Sequence, residues 1–340
     1  MKNRATLKDI AKALNVSITT VSRALNNKTD ISIETRQKVL EVAKMLDYEP
    51  NTMAISLRKS VARQIIGVIL PSIEHHFFST ILKGITTSAH NSGFMIMFCE
   101  SNYSSEKEVQ LMNQLKHHFV SGIIYAPSKN ASREQNLHHL DNLNIPYVLI
   151  DRIFADYNGS YVQYDDYNGA YDATEHLISQ GYRRITHITG NLDCSVSSER
   201  KRGYLDAMSQ YRLKSVCIEA KSNEDISDSY GYSSVMKITS SGDAFPDAIF
   251  TVTDSVAVGV YEGLAEHNKQ VPHDVAIMGF SNSRISKHLV PKLSTVEQNG
   301  NSMGDTAFKF LLDKIENRNL VLQKTFSPKL IIRDSTPRIG

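Results

Sequence analysis

The sequence predicts a small all-α head with a helix-turn-helix, joined to an α/β core of two doubly wound parallel-sheet subdomains. Three observations lead to this fold class. Residues 6–25 carry the apolar spacing of two short helices separated by a tight turn. From residue 64 onward, short apolar runs alternate with amphipathic helical stretches, as in parallel sheets that are covered on both faces. The length of 340 residues favours two or three domains over one.

Positive charge is concentrated in the first part of the chain. Residues 1–63 carry 12 Lys and Arg against 6 Asp and Glu, a net charge of +6, whereas the whole chain has a net charge of +2. The remainder is therefore mildly acidic, with a net charge of −4. A basic small module on an acidic large one indicates that nucleic acid is bound by the first part only.

The first two helices are bounded by residues that favour helix ends and a turn. Thr6 is predicted as an N-cap with Asp9 as its capping-box partner. Asn15 tolerates the left-handed conformation of a sharp turn, and Ser17 is predicted to cap the second helix. The outward-facing residues of that helix suit a DNA major groove: Ile18, Thr19, Thr20, Ser22 and Arg23. The alternative is an ordinary helical hairpin.

A third helix and a short polar stretch complete the head. Ser32 is predicted to cap a helix whose apolar positions recur at helical spacing as far as Leu46. In residues 48–60, Pro50 can start a further helix. A helix of two turns is marginal in isolation, so composition alone favours a plain linker here.

Seven apolar runs in the body have the length and composition of buried strands. They cover residues 65–70, 94–98, 122–125, 147–150, 185–188, 248–252 and 275–280. A helix around residues 80–91 connects the first two runs. A body of this size is large for one sheet, so we expect two stacked α/β subdomains with a ligand cleft at the carboxyl ends of their strands.

The cysteine content and the hydropathy favour a reducing compartment. Cys99, Cys194 and Cys217 lie far apart and give neither zinc-ligand spacing nor a disulfide framework. The first 20 residues lack the apolar region of a signal peptide, and no run of about 18 apolar residues could span a membrane. We therefore expect a cytoplasmic protein.

The sequence lacks three common catalytic or phosphate-binding motifs. It has no nucleophile elbow, no P-loop and no dinucleotide-binding glycine pattern after the first strand. Three histidine pairs occur at residues 75–76, 117–118 and 138–139, but adjacent side chains on a helix point about 100° apart. We expect no enzymatic activity, no cofactor and no metal.

The first 60 residues resemble the DNA-binding head of the lactose-repressor (LacI/GalR) family of transcription factors. The residues that carry the resemblance are 7–11, 16–17, 20–23, 26, 35–36, 48–51, 54 and 57. The resemblance implies that Ile18, Thr19 and Arg23 contact bases in the major groove. It implies contacts with the DNA backbone by Leu7, Ser17, Thr20, Ser22, Asn26, Ser32, Thr35 and Asn51.

The resemblance also changes the interpretation of the linker. Family members fold this stretch into a hinge helix on DNA, which implies that Ala54, Leu57 and Arg58 lie at the minor groove. An apolar wedge such as Leu57 partly unstacks one base step and bends the duplex. Because ordering the hinge costs conformational entropy, we expect the helix to form only when two hinges pack together on DNA.

The body resembles the periplasmic-binding-protein-like sensor domain of the same family. The resemblance implies three crossings between subdomains, near residues 161–165, 292–297 and 322–327. The predicted domains are a head of residues 1–47, a hinge of residues 48–63 and an effector-binding and dimerisation core of residues 64–340. Within that core, the N-subdomain comprises about 64–162 and 296–323, and the C-subdomain about 163–293 and 326–340.

Residues that follow the strands are predicted to line an effector pocket. The resemblance adds that Arg200 matches the family's pocket arginine, which clamps hydroxyls or a carboxylate. The predicted effector-binding residues are Phe77, Phe78, Asp151, Arg200, Thr253, Asp254 and Ser281. The alternatives are that one of the two phenylalanines is core and that Arg200 is a surface ion-pair partner. Ser281 and Thr253 replace an aspartate and an asparagine frequent in sugar-responsive relatives, so no known effector can be transferred to this chain.

These features predict a homodimeric transcriptional regulator, a repressor of carbohydrate-metabolism genes. It would bind a pseudo-palindromic operator in double-stranded DNA and a small sugar-like effector in the cleft. The helices over residues 302–315 and 77–82 are candidate dimer interfaces, the first through an apolar face of Met303, Ala307, Phe310 and Leu311. The sequence does not identify the effector or the operator. It also does not decide whether the effector is an inducer or a co-repressor, whether the protein activates or represses transcription, or whether it forms a dimer or a tetramer. The competing class is a metabolite-binding module or sugar-processing enzyme that binds no DNA.

Overall fold

The computed structural model describes residues 5–28, 30–48, 64–128, 133–154, 156–221, 225–242 and 244–337. The chain divides into two compact units, residues 1–63 and 64–340. The predicted hinge and backbone-contact residues Asn51, Ala54, Leu57 and Arg58 lie outside the described residues. The hinge helix therefore stays a prediction.

Three helices make up the described part of the first unit. They are α1 over Leu7–Leu14, α2 over Ile18–Leu25 and α3 over Ile33–Met45. Ile10, Val21 and Val39, one from each helix, are fully buried. Their contact forms the centre of a small core, which is the expected arrangement for a module of this size.

The helix ends of the head are those that the sequence predicts. The backbone N–H of Thr6 donates to the Asp9 carboxylate at 2.8 Å. Asn15 adopts the left-handed conformation, with φ of 53°, between α1 and α2. The hydroxyls of Ser17 and Ser32 accept hydrogen bonds from the N–H groups three residues further on, at 3.0 and 3.2 Å.

The first sheet of the body is fully parallel and has the strand order β11-β5-β4-β3-β1-β2. Its strands are β1 Ile65–Leu70, β2 Met95–Glu100, β3 Gly122–Tyr125, β4 Tyr147–Ile150, β5 Tyr161–Tyr164 and β11 Gln323–Phe326. The helices that cover it are α4 His76–Asn91, α5 Ser105–His117, α6 Arg133–Leu143 and α11 Gly300–Glu316.

The second sheet has the strand order β12-β10-β9-β8-β6-β7, and β12 is its one antiparallel strand among the described residues. Its strands are β6 Ile185–Ile188, β7 Val216–Ile218, β8 Ala248–Thr251, β9 Ala276–Ser281, β10 Ser294–Glu297 and β12 Lys329–Ile331. Its helices are α7 Asp166–Ser179, α8 Ser195–Gln210, α9 Asp228–Ser240 and α10 Asp254–Glu266, with a short 3-10 helix at Arg284–Lys287.

The chain passes between the two subdomains three times, after β5, β10 and β11. β5 belongs to the first sheet as far as Tyr164. Residues 294–297 of β10 belong to the second sheet, and residues 323–326 of β11 belong to the first. The crossovers thus lie close to the ranges expected for them, 161–165, 292–297 and 322–327, and one to three residues beyond the approximate subdomain limits of 162, 296 and 323. The crossovers fall where each strand ends, a position that apolar patterning cannot locate in strands this short and polar.

Sequence periodicity missed the edge and crossover strands. The missed strands are β5, β7, β10, β11 and β12, which have three or four residues each, and β11 reads Gln-Lys-Thr-Phe. The helix predicted from about residue 80 begins at His76. These short segments become strands because a neighbouring strand supplies the hydrogen-bond partners, which a local pattern does not record.

One predicted interface face is wrong. Met303, Ala307 and Leu311 of α11 are fully buried in the core of the N-subdomain, where α11 packs on α4. The two helices approach closely: a Cβ added at Gly304 would lie 2.2 Å from the carbonyl oxygen of Ile81. This face of α11 therefore stabilises the protomer itself and is not available to a second copy.

Within the described part of the chain, no helix has the length and apolarity needed to cross a membrane. The same residues contain no group of three His, Cys, Asp or Glu side chains that could hold a metal ion.

Candidate effector pocket and DNA-contacting surface

A cavity of about 310 Å³ lies between the two subdomains at the carboxyl ends of their strands. All seven predicted effector-binding residues line it: Phe77, Phe78, Asp151, Arg200, Thr253, Asp254 and Ser281. Lining residues that the sequence reasoning did not identify include His75, Tyr103, Asn191, Ser197, Asp225 and Gln298. The rule that ligands sit beyond the strand ends would have found Tyr103 and Asn191, because they follow β2 and β6.

The wall contributed by the N-subdomain is largely aromatic. Phe78 is 3% exposed and belongs to the hydrophobic core, whereas Phe77 is partly buried and packs against that core. One of the two phenylalanines is thus mainly structural. The Arg152 guanidinium lies 5.4 Å from the Phe78 ring centroid and 5.5 Å from that of Tyr103, within cation–π range. Aromatic faces and a cation therefore form one surface.

Asp151 and Arg152 follow β4 and bring opposite charges to this wall. The Asp151 carboxylate lies 3.7 Å from Nε of Arg152. Burial raises the pKa of Asp151 to about 7, and the Arg152 charge opposes that rise. Nη1 of Arg152 makes a long contact of 3.5 Å with the Pro127 carbonyl, while Nε is buried without a hydrogen-bond partner among the described residues. The pair thus offers both acceptors and donors to a ligand.

A buried carboxylate supports the turn beneath Arg152. Glu108 is fully buried and accepts hydrogen bonds from the Tyr125 hydroxyl at 2.6 Å and the Ser128 N–H at 2.7 Å. Burial raises the pKa of Glu108, and these hydrogen bonds oppose the rise. Because Pro127 directly precedes Ser128, the same network holds the carbonyl that contacts Arg152.

Arg200 forms the centre of the opposite wall and is itself buried, at 4% exposure. Nε donates to Asp166 at 2.8 Å, Nη1 to the Val252 carbonyl at 2.5 Å and Nη2 to Gln298 Oε1 at 3.2 Å. The guanidinium carbon lies 3.6 Å from the Phe280 ring centroid. Arg200 is therefore not a surface ion-pair partner. Its hydrogen bonds connect the start of α7, the end of β8 and the second crossover beside the cavity.

The polar groups of two further predicted residues are engaged within the protein. Asp254 accepts hydrogen bonds from the Thr295 hydroxyl and the Ser283 N–H, both at 2.6 Å, and burial raises its pKa to about 6. The Thr253 hydroxyl caps α10. Ser281 ends β9 with φ of 109°. These residues shape the C-subdomain wall more than they present free groups to it.

The predicted major-groove residues lie on the exposed surface of α2. Ile18 is 45% exposed, and the side chain of Arg23 is 54% exposed. Thr19 is exposed beside them. An exposed isoleucine at the start of a helix gives this surface a methyl group that can meet a thymine methyl.

The predicted backbone-contacting residues of the head surround that surface. Ser17, Asn26 and Ser32 are exposed, and Leu7, Thr20, Ser22 and Thr35 are partly exposed. Two hydroxyl pairs are hydrogen bonded at 2.8 Å, Ser17 with Thr20 and Ser32 with Thr35. Each pair places hydroxyls beside a helix N-terminus, where phosphate oxygens bind.

Comparison with known proteins shows the family. Residues 6–51 match the description "Bacterial regulatory proteins, lacI family", and residues 174–336 match "Periplasmic binding protein-like domain". The Ribose operon repressor of Halalkalibacterium halodurans is 31% identical, over 97% of both chains. Catabolite control protein A of Priestia megaterium is 32% identical, over 93% of this chain and 94% of its own. The chain belongs to the lacI family.

Solved structures support the same fold. A lac repressor dimer bound to operator and an anti-inducer has a TM-score of 0.83 with 23% identity and covers 98% of this chain and 99% of its own. A ribose-bound family member from Enterococcus faecalis has a TM-score of 0.71 with 27% identity, over 81% of this chain and 100% of its own. The protein is a DNA-binding transcription regulator with a ligand-binding domain, and not an enzyme.

Proposed function

We propose that this protein represses carbohydrate-metabolism genes as a homodimer that binds a pseudo-palindromic operator under the control of a small sugar-like metabolite. The observation that carries the proposal is the cavity between the subdomains, which joins an aromatic wall to the Asp151–Arg152 pair. A sugar ring presents an apolar face and hydroxyls that both donate and accept, so this combination suits it. The 27% identical family member from Enterococcus faecalis was solved with bound ribose, which supports a sugar as the class of ligand.

In this proposal, the effector contacts are divided between the walls. Phe77 packs against the ring, Asp151 accepts from hydroxyls and Arg152 donates to them. Arg200 contributes at most its remaining N–H groups, since Asp166 and other protein acceptors hold the rest. Phe78, Thr253, Asp254 and Ser281 complete the lining.

The proposed DNA contacts follow the exposed surface of α2. Ile18, Thr19 and Arg23 read bases, and the residues around them contact the backbone: Leu7, Ser17, Thr20, Ser22, Asn26, Ser32, Thr35 and Asn51. Ala54, Leu57 and Arg58 contact the minor groove. A single small head offers limited interface, so two heads on a two-fold operator are expected to bind together.

The proposal is tested by two measurements on the full chain. In vitro selection from random duplexes should recover a pseudo-palindromic site that the protein shifts at low salt. A thermal-shift screen with D-ribose, D-xylose and D-glucose, together with D-ribonate and ribose 5-phosphate, should find a sugar that raises Tm and changes affinity for the selected duplex.

Variants separate the pocket from the rest of the body. Asp151→Asn should remove most of the sugar-dependent rise in Tm, whereas Asp206→Asn, on the exposed side of α8, should keep it. A protein that selects no duplex, or whose sugar response survives Asp151→Asn unchanged, would contradict the DNA-binding or the pocket part of the proposal, respectively.

A further inference from the structure

The exposed arginine of α2 is paired with a carboxylate of its own module. Nη2 of Arg23 lies 2.8 Å from Oδ2 of Asp30, and the two side chains are 54% and 46% exposed. Asp30 is in the loop between α2 and α3. Both groups are therefore accessible to a large partner that approaches this surface.

The geometry of the ion pair leaves one edge of the guanidinium available. A guanidinium carries five N–H groups in a rigid plane, and bidentate binding of guanine O6 and N7 uses two of them. Asp30 contacts Nη2, and no described residue holds Nε or Nη1 of Arg23. Because Nη2 has two N–H groups, the carboxylate can occupy one of them while the other, together with an N–H of Nε or Nη1, faces a base.

The same carboxylate alters the electrostatic attraction of Arg23 for DNA. Binding to random DNA depends on cations that neutralise phosphates, and it carries no sequence information. A negative charge 2.8 Å from the guanidinium offsets part of its attraction for a phosphate. A contact with a base edge depends more on the orientation of the donors, which the ion pair preserves.

We infer that Asp30 is a specificity-determining residue. It orients Arg23 toward a base edge and weakens its pairing with phosphates, so that the affinity gap between operator and random DNA widens. The inference rests on the proposed base-reading role of Arg23.

The test compares full-length variants on two probes, a 30-base-pair random duplex and the duplex selected by the wild-type protein. Asp30→Asn should bind the random duplex at least about threefold more tightly and the selected duplex no more tightly, so that the specificity ratio falls at least about threefold. On the random duplex, the slope of log K against log salt concentration should steepen by about 0.9 for each freed arginine that reaches a phosphate.

Glu34→Gln is the matched control. Glu34 forms a comparable exposed ion pair with Lys38, also at 2.8 Å, but on α3. The variant makes the same change in charge and also frees a cation, and it should leave the specificity ratio within about twofold of wild type. An equal effect of Asp30→Asn and Glu34→Gln would overturn the inference.

Two further outcomes would also overturn it. If Asp30→Asn raised the affinity for both duplexes by the same factor, Asp30 would only compete with DNA for Arg23 and would not determine specificity. If Asp30→Asn still raised the affinity for the random duplex in a protein that also carries Arg23→Ala, Asp30 would act by repelling phosphates directly. If the wild-type protein bound neither duplex at low salt, that result would contradict the proposed function, and the inference would fail with it.

Discussion

Asp151 and Arg152 show how an individual residue acquires properties that its neighbours impose. The pair is adjacent in sequence, yet Asp151 is 6% exposed and its pKa rises to about 7 because burial disfavours the charged form. A carboxylate with a raised pKa holds a proton in the folded protein over a pH range where the unfolded chain has lost it. Its ionisation therefore opposes folding as the pH rises.

This residue gives a pH-dependent prediction. Between pH 5 and pH 8, the wild-type body should lose about 2 kcal/mol of stability through Asp151, because ionisation in the folded state lags behind that in the unfolded chain. Asp151→Asn has no such ionisation, so its stability relative to wild type should increase by that amount over the same range. Urea unfolding at several pH values measures the difference. A constant difference across the range would contradict it.

Glu108 is the second residue whose environment is decisive. Its carboxylate accepts from Tyr125, Ser128 and Asn136, all of which act as donors. Glu108→Gln would turn an N–H₂ group toward at least one of these donors and leave a buried group unpaired. We expect a loss of about 1–3 kcal/mol in the free energy of unfolding.

The matched control for that change is Glu106→Gln. Glu106 lies on the same helix and is exposed. Its replacement should leave the free energy of unfolding close to that of the wild type, because surface substitutions away from buried networks have little effect. If the two variants unfold at the same denaturant concentration, the buried network does not carry the stability assigned to it.

At the scale of elements, the packing of α4 on α11 organises the N-subdomain. The two helices touch through glycines, and the apolar face of α11 fills the core between them and the sheet. The spacing of Met303, Ala307 and Leu311 correctly predicted a helix with one apolar face. It could not say whether a sheet or a second protomer covers that face, because periodicity records burial and not the partner.

The close approach of α4 and α11 predicts that a larger residue at Gly304 destabilises the protein. Gly304→Ala gains helix propensity of about 1 kcal/mol, but its methyl group would lie 2.2 Å from the backbone oxygen of Ile81. Since backbone cannot move aside cheaply, we expect a net loss of about 1–3 kcal/mol. Ser302→Ala on the same helix is the control. Thermal unfolding that ranks Gly304→Ala equal to or above wild type would contradict the packing argument.

At the scale of the whole molecule, the proposed control by a ligand depends on groups that connect the cavity to the crossovers. Gln298 lies at the second crossover, and its side chain accepts from Arg200 and from the Ser281 hydroxyl. The first crossover leads directly into Asp166, the ion-pair partner of Arg200. A ligand that disturbs Arg200 therefore acts on two of the three connections at once.

This arrangement predicts the effect of Gln298→Ala. The factor by which a bound sugar changes affinity for the selected duplex should fall at least about threefold, because one link between cavity and crossover is lost. By linkage, the duplex should change the affinity for the sugar by the same reduced factor. Gln163→Ala, on β5 but outside the cavity lining, is the control, and equal coupling in the two variants would contradict the assignment.

Much of this protein follows from local sequence. The caps at Thr6, Ser17 and Ser32, the turn at Asn15 and the seven apolar strands are each set by residues within a few positions of one another, so patterns along the chain identify them. The residues after each strand could be placed near the cavity because parallel strands end at the same edge. The resemblance of the head to a known family identified the class of function.

Only the tertiary structure decided how those pieces are used. The short polar strands β10, β11 and β12 exist because distant strands supply their hydrogen-bond partners, and they set the crossover positions. Three side chains have partners that are distant in sequence or lie in another element. Arg200 hydrogen bonds to Asp166 and Val252, Asp254 accepts from Ser283 and Thr295, and Arg23 pairs with Asp30. Charges and hydrogen bonds act over a few ångströms in space, and separation along the sequence does not report that distance.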